Sequence, residues 1–224
     1  MSDMGRIRAV AFDFDETLSD WPAAVRRAVN SLAAQPPFAS ETDFAERFTR
    51  IAAELYPSRT PGPLYFEVHR VFERVLTGES DCFAAADRFR SALDPAAFDD
   101  VAATLEALAG RFPLGILSNN PYAPEGLRIL GFDHYFPTVI ARPVDHPEAK
   151  PHPQAFTLLA AALGFAPHQV AYVGDDIEVD IDGAAAAGLA AIWLDRYDSP
   201  AQPAASPAAR IASLAELPSL LETL

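Results

Sequence analysis

Thiols are nearly missing from this sequence. Cys82 is its one cysteine, so no disulfide can close within the chain and no thiolate-rich metal centre can form, which suits a reducing compartment. The plain reading of Cys82 is a small buried hydrophobe. Positive charge is also short, with 17 Lys+Arg against 31 Asp+Glu and a formal net charge of −14. That balance disfavours a life on DNA, RNA or anionic lipid, because those partners need a basic face to displace counterions. No run approaches the ~18–20 consecutive apolar residues of a membrane span. The first residues mix Asp3, Asp13 and Asp15 with two arginines and offer no apolar stretch ahead of a small-residue cleavage site. A soluble cytoplasmic protein is expected, with no nucleic-acid and no membrane partner. The five histidines, His69, His134, His146, His152 and His168, show no zinc-ligand spacing, and neither GxGxxG nor GxxxxGK[ST] occurs.

What is present is a globular balance over 224 residues, 50% hydrophobic and 21% charged, enough apolar surface for one large domain or for a core carrying an insert. Ile7 to Phe14 is a short β-branched and aromatic run of the kind that makes a buried strand, and short apolar runs at Pro113 to Leu117, Thr138 to Ala141, Val170 to Val173 and Ala190 to Leu194 read as further strands, with a weak last one at Arg210 to Ala212. Helical stretches separate the later ones. That alternation predicts an α/β fold with a parallel sheet wrapped by helices, a three-layer Rossmann-like core.

One interruption follows the first strand. Asp20 ahead of Trp21-Pro22 reads as a helix start, and Ser40-Glu41-Thr42-Asp43 resembles a capping box before Phe44, Phe48, Ile51 and Leu55 at helical spacing. Pro57 to Pro63 reads as a turn. Further helices are expected over Leu64 to Leu76, Asp81 to Leu93 and Pro95 to Leu108, and a last one over Leu214 to Leu221. Residues 1–19 and 95–224 are therefore assigned to the core, and 20–94 to an inserted helical domain.

In an open parallel sheet ligands gather at the carboxyl ends of the strands. There the first strand gives Asp13-Phe14-Asp15-Glu16-Thr17, the second Ser118-Asn119-Asn120 and the fourth Gly174-Asp175-Asp176. Two aspartates two residues apart, joined by a third, repel one another unless a cation or proton intervenes. Hard oxygen donors without a thiol or histidine cluster select Mg²⁺. A carboxylate nucleophile, a second carboxyl for proton transfer, a hydroxyl and a cation suit phosphoryl transfer. Lys150 is the only lysine, every other basic residue being arginine, so its slot calls for a compact ammonium on a flexible stem rather than a planar fork.

Asp13-x-Asp15-x-Thr17, Ser118-Asn119, Lys150-Pro151 and Gly174-Asp175 with Asp180 beyond it resemble, in order, the four motifs of the haloacid dehalogenase-like hydrolase superfamily. The resemblance runs from Ile7 to about Leu221. It implies that Asp13 forms an aspartyl-phosphate and that Asp15 protonates the leaving oxygen, then takes a proton from the hydrolytic water. It implies that Thr17, Ser118 and Lys150 hold the phosphate with Asn119 shaping the cradle, and that Mg²⁺ binds the carboxylates of Asp13 and Asp175 and the carbonyl of Asp15. Asp180 would support the metal waters or Lys150. An acid at Asp15 points to the phosphatase branch, since the dehalogenating branch lacks it and needs no metal. The insert would be a helical cap that closes over the site and reads a small phosphorylated substrate, with Arg26, Arg27, Arg59, Tyr65 and His69 as candidate readers. The protein would act as a monomer or homodimer.

Glu16, Trp21 and Asp176 depart from the family pattern without removing a catalytic group. The acidic run through Glu178 and Asp182 also fits the preference of acids for a helix amino terminus. Alternatives on the same scaffold are a phosphomutase or a phosphonate hydrolase, the latter opposed by the lack of a lysine in the insert. From another class come a phospho-accepting signalling module and a non-catalytic binding protein. The acidic Gly174-Asp175 motif comes last here, after a helical insert, which is not the motif order of a receiver domain.

Overall fold

A computed structural model of the chain describes residues 6–56, 61–76, 81–142 and 146–224, the side chains of 61–66 excepted. Two compact units emerge, one of residues 1–19 and 97–224 and one of residues 20–96. No helix among the described residues is long and apolar enough to cross a membrane.

The first unit is a six-stranded parallel sheet of order β3-β2-β1-β4-β5-β6, with β1 Ala9–Phe12, β2 Leu114–Ser118, β3 Thr138–Ala141, β4 Val170–Gly174, β5 Ala190–Leu194 and β6 Ala209–Ile211. Alternate side chains face opposite layers, as a strand requires. Val10, Phe12, Ile116 and Val173 pack with helices at Val101–Ala109, Ala123–Leu130 and Leu217–Leu220. Ala9, Ala11, Leu117, Tyr172 and Trp193 pack with those at Pro153–Leu163 and Gly183–Ala186. Helices on both faces leave β1, β2 and β4 fully buried, which explains their unbroken apolar runs. β1 lies between β2 and β4, with Phe12 level with Ile116 and Val173. The order reverses beside β1, and such a switch point opens a crevice at the strands' carboxyl ends.

The second unit is helical: α1 Trp21–Ala33, α2 Phe44–Leu55, α3 Pro61–Val75 and α4 Cys82–Ala92. Continuing in chain order, the core's helices are α5 Val101–Ala109, α6 Ala123–Leu130, α7 Pro153–Leu163, α8 Gly183–Ala186 and α9 Leu217–Leu220. Asp20 Oδ1 accepts from the Ala23 amide at 2.9 Å and starts α1. Asp81 does the same for α4 through Phe83 and Ala84. The unit closes on its own aromatic core, in which Phe48 lies 5.4 Å from both Phe72 and Phe89. Fully burying such a side chain contributes ~1.5–3 kcal/mol.

Several local expectations fail for identifiable reasons. The capping box does not form: Asp43 sits at φ +52 and makes no capping hydrogen bond, while the Ser40 hydroxyl donates to the Pro37 carbonyl. α3 begins at Pro61, inside the stretch expected to turn, and is interrupted at Glu67. Residues 57–60 of that stretch lie outside the described residues. No helix covers 95–100, because the backbone there is used by the outgoing strand of chain. The Asp20 amide donates to the Ala96 carbonyl, the Phe98 amide donates to the Leu18 carbonyl, and Ser19 bridges Ala97. The closing helix is split into a 3₁₀ turn, Leu214–Glu216, and α9.

Gly126 in α6 permits the close approach that holds Phe14, the residue between Asp13 and Asp15. A Cβ at Gly126 would lie 2.5 Å from the Phe14 ring. Gly126→Ala gains ~1 kcal/mol of helix propensity, but overpacking a buried ring costs ~1–3 kcal/mol. Net destabilisation is expected as a lower urea midpoint, and an unchanged or raised midpoint contradicts the packing account.

Candidate active site

The turn after β1 is tightly built. The Asp13 amide continues the ladder to the Val173 carbonyl at 2.9 Å, and the amides of Leu18 and Ser19 both donate to the Phe14 carbonyl. Glu16 takes φ +58, the left-handed region where Gly, Asn or Asp is commoner, so its departure from the family pattern falls on a strained backbone position. The turn brings Asp13, Asp15 and Thr17 out of solvent together.

Lys150 reaches the same place from the loop before α7, and it is 3% exposed. Its ammonium donates to Asp13 Oδ1 at 2.6 Å, to Asp180 Oδ1 at 2.6 Å and to the Tyr172 hydroxyl at 3.1 Å. Three donors meet three acceptors, so every N–H of the ammonium is satisfied. Burial disfavours its charge, but the two carboxylates outweigh that and hold its pKa above the ordinary lysine value.

Asn119 turns out to position Lys150. Its Nδ2 donates to the Lys150 carbonyl at 2.8 Å, and its Oδ1 accepts from the Lys150 amide at 2.9 Å. Ser118, at the end of β2, is 1% exposed, and its hydroxyl accepts from the Asn120 amide at 3.1 Å. Thr17 Oγ1 lies 3.5 Å from Asp175 Oδ1, at the outer limit of a hydrogen bond, so Thr17 borders the carboxylates as well as the turn.

Asp13, Asp175 and Asp180 each present an oxygen within 4.8 Å of one another. Asp180 is already committed, with Oδ1 on Lys150 and Oδ2 accepting from the Asp176 amide at 3.1 Å. Gly174 makes room for it, since a Cβ there would collide with the Asp180 carboxyl. Asp13 and Asp175 are left as the better cation ligands. Burial first, then repulsion by Asp180 and Asp13, pushes the Asp175 carboxyl well above its usual range. Hard oxygens in excess of the one ammonium fit a divalent cation such as Mg²⁺.

The two carboxyls of the first motif differ. Burial raises Asp13 to about 6, against the pull of the Lys150 ammonium. Burial and then the neighbouring Asp13 raise Asp15 to about 8. Asn120 Nδ2 donates to Asp15 Oδ1 at 3.3 Å. Asp15 thus holds its proton more tightly than Asp13, an ordering suited to a nucleophile beside an acid.

Two residues of this cluster were not singled out in the sequence. Asn120 directly follows Ser118-Asn119 at a strand end, a place that could have marked it. Tyr172 sits inside an apolar strand, and its hydroxyl lies 2.9 Å from the Leu117 carbonyl and 3.1 Å from Asp180 Oδ1. No local signal reveals it. Asp176 caps the π-helical turn Ile177–Asp182 through the Val179 amide at 2.8 Å. Asp182 stands at the amino terminus of α8, as expected, and its carboxylate also accepts from the amides of Ala204 and Ala205, tethering that loop. Of the expected substrate readers, Arg26 is exposed, Arg27 donates to the Asp94 carbonyl and His69 stacks on Phe83 at 4.8 Å. Arg59 and the side chain of Tyr65 lie outside the described residues.

Comparison with known proteins agrees with this picture. The chain is 28% identical over 213 residues to 5-amino-6-(5-phospho-D-ribitylamino)uracil phosphatase YigB of Escherichia coli, covering 85% of this chain and 84% of that one. It is 43% identical over 68 residues to phosphoserine phosphatase of Thermus thermophilus, an alignment spanning 30% of this chain and only 27% of that protein's length. The fold matches the magnesium-bound HAD-hydrolase YfnB of Bacillus subtilis with a TM-score of 0.76 over 96% of this chain and 99% of that one, at 22% identity. A family model for haloacid dehalogenase-like hydrolases matches residues 7–188, most of the 224, and the chain belongs to that family.

Proposed function

We propose that this hydrolase is a Mg²⁺-dependent phosphatase that cleaves a small phosphorylated metabolite through an aspartyl-phosphate on Asp13. The observation that carries the reading is the convergence, at the carboxyl ends of three neighbouring strands, of buried Asp13, Asp15 and Ser118 with Asp175 and with Lys150, whose ammonium lies 2.6 Å from Asp13 Oδ1. Relatives named as phosphatases support it. The carboxylates of Asp13 and Asp175 and the main-chain carbonyl of Asp15 would hold the cation, which when bound supplies charge to offset the phosphate oxygens and the carboxylates together.

In the first step a carboxylate oxygen of Asp13 attacks phosphorus, the ester P–O bond breaks, and Asp15 gives its proton to the leaving oxygen. In the second, Asp15 takes a proton from water as that water attacks phosphorus, the bond to Asp13 breaks, and inorganic phosphate leaves. Lys150 orients Asp13 throughout, and its ammonium with the Ser118 and Thr17 hydroxyls would neutralise or hydrogen-bond the transferring group. Asn119 and Asp180 keep Lys150 in place. Residues 20–96 would act as the cap and read the rest of the substrate, with Arg26 and His69 among the candidate contacts.

Asp13→Asn should abolish phosphate release from p-nitrophenyl phosphate while circular dichroism stays unchanged. Repeated turnover by that variant removes Asp13 as nucleophile, and a wild-type burst limited to one equivalent would indicate a phospho-accepting module. Excess chelator should stop turnover, Mg²⁺ should restore it, and Ca²⁺ should not, because its larger and looser shell misplaces the attacking oxygen; full rate in chelator defeats the metal assignment. Since burial and then Asp13 raise Asp15 and its acid form is the one required, kcat measured with Mg²⁺ should fall along an alkaline limb as pH rises, and that limb should lie below the metal-free value of about 8 because the bound cation favours the carboxylate. Asp15→Asn should lower kcat by ~10²–10⁴-fold and remove that limb, and an unchanged alkaline limb in the variant assigns the proton elsewhere.

A further inference from the structure

β5 carries no group that the catalytic reading uses, yet Arg196, just past its end, reaches into the first catalytic turn. The Arg196 guanidinium donates to the Thr17 carbonyl at 3.0 Å. It also meets Asp100 through two nitrogens, at 2.8 Å to Oδ2 and 3.0 Å to Oδ1, and lies 3.9 Å from the centre of the Phe98 ring. Asp100 in turn accepts from the Ser213 hydroxyl at 2.7 Å and from the Leu214 amide at 2.9 Å. The side chains of Arg196 and Asp100 are only 10% and 14% exposed, which sets this pair apart from the mobile ion pairs of a surface. The guanidinium is held by its flat face and along its edge at once, a use of arginine that lysine cannot reproduce.

The carbonyl it grips belongs to a turn that needs holding. Glu16 stands at φ +58, and a side chain in that conformation persists only where its surroundings over-determine it. Within the turn, the Glu16 amide donates to the Ser19 carbonyl and the Leu18 and Ser19 amides donate to the Phe14 carbonyl. Arg196 adds a hold from outside, at the residue directly after Glu16. Its anchor lies on the returning chain, where Asp100 follows closely on Phe98, whose amide donates to the Leu18 carbonyl at 3.2 Å. We propose that Arg196, anchored by Asp100, is a positioning residue: it clamps the turn 13–19 through the Thr17 main chain and so keeps the Asp15 carboxyl and the Thr17 hydroxyl aligned with the transferring group. The catalytic half of this inference rests on the phosphatase reading. A misplacement of ~1 Å can cost ~10²-fold in rate, so a loosened turn is read in kcat.

The test pairs turnover with amide hydrogen exchange in wild type and Arg196→Ala, at a temperature where circular dichroism shows both folded. With p-nitrophenyl phosphate, kcat should fall at least tenfold in the variant while KM stays within twofold. The Leu18 and Ser19 amides should exchange at least tenfold faster, beyond any change at Val10 in β1. If Arg196→Ala does not fold, Arg196→Lys takes its place with the same expected directions, because an ammonium keeps the charge beside Asp100 but cannot pair with both carboxylate oxygens and also reach the Thr17 carbonyl. An acceleration at Leu18 and Ser19 no larger than at Val10 overturns the clamp. Faster local exchange with wild-type kcat overturns its part in catalysis, and so does a raised KM at unchanged kcat. A wild type without turnover defeats the phosphatase reading instead, and the exchange rates then judge the clamp on their own.

Discussion

A single buried ammonium stands among more carboxylates than it can neutralise. Lys150 satisfies Asp13 and Asp180 at 2.6 Å each, while Asp15 and Asp175 nearby form no ion pair among the described residues, and burial first and then neighbouring carboxylates raise both above the ordinary carboxyl range. Burial together with this surplus negative charge raises the Asp15 carboxyl, and a divalent metal would be the natural complement of the carboxylates that remain. Remove the ammonium and Asp13 and Asp180 would face each other in a dry pocket, an arrangement that costs several kcal/mol.

The sheet makes that crowding achievable. Asp13 follows β1, Ser118 ends β2 and Asp175 follows β4, three strands that are neighbours in space although long stretches of sequence separate them. Helices on both faces exclude water from the strands, so the groups at their ends sit at the edge of a low-dielectric layer where charges act strongly on one another. Small residues fix the details. Gly174 leaves space for the Asp180 carboxyl and Gly126 for the Phe14 ring, and the Asn119 amide ties the Lys150 main chain to the end of β2.

Much of this was legible in the sequence, for a physical reason. Strands buried on both faces are short and apolar, so β1, β2, β4 and β5 announced themselves, and the charged residues just past them stood out against that background. What escaped was whatever depended on a distant partner. The segment at Pro95 looks helical by composition, yet its backbone is claimed by Leu18 to Asp20, some 80 residues away. Tyr172 reads as one more strand residue, but its hydroxyl meets groups 55 and 22 residues distant. Asn119 is expected to shape the phosphate cradle, but that it does so by gripping the main chain of Lys150, 31 residues on, could not be read locally. Asp43 defeated the capping pattern because its backbone is left-handed, which no side-chain identity at that position required.

The paired crossing at Ser19 and Ala97 carries an evolutionary corollary. The chain departs from the sheet and rejoins it at two points that are bridged to each other, so the strands already form the stem of a hairpin, and any excursion that begins and ends there leaves the stem intact. A tight turn, a few helices or a whole domain could be spliced onto the same two residues without altering the register of β1 or β2. Lineages descended from such a scaffold can thus exchange that excursion as a cassette, while the groups at the strand ends inherit their positions unchanged.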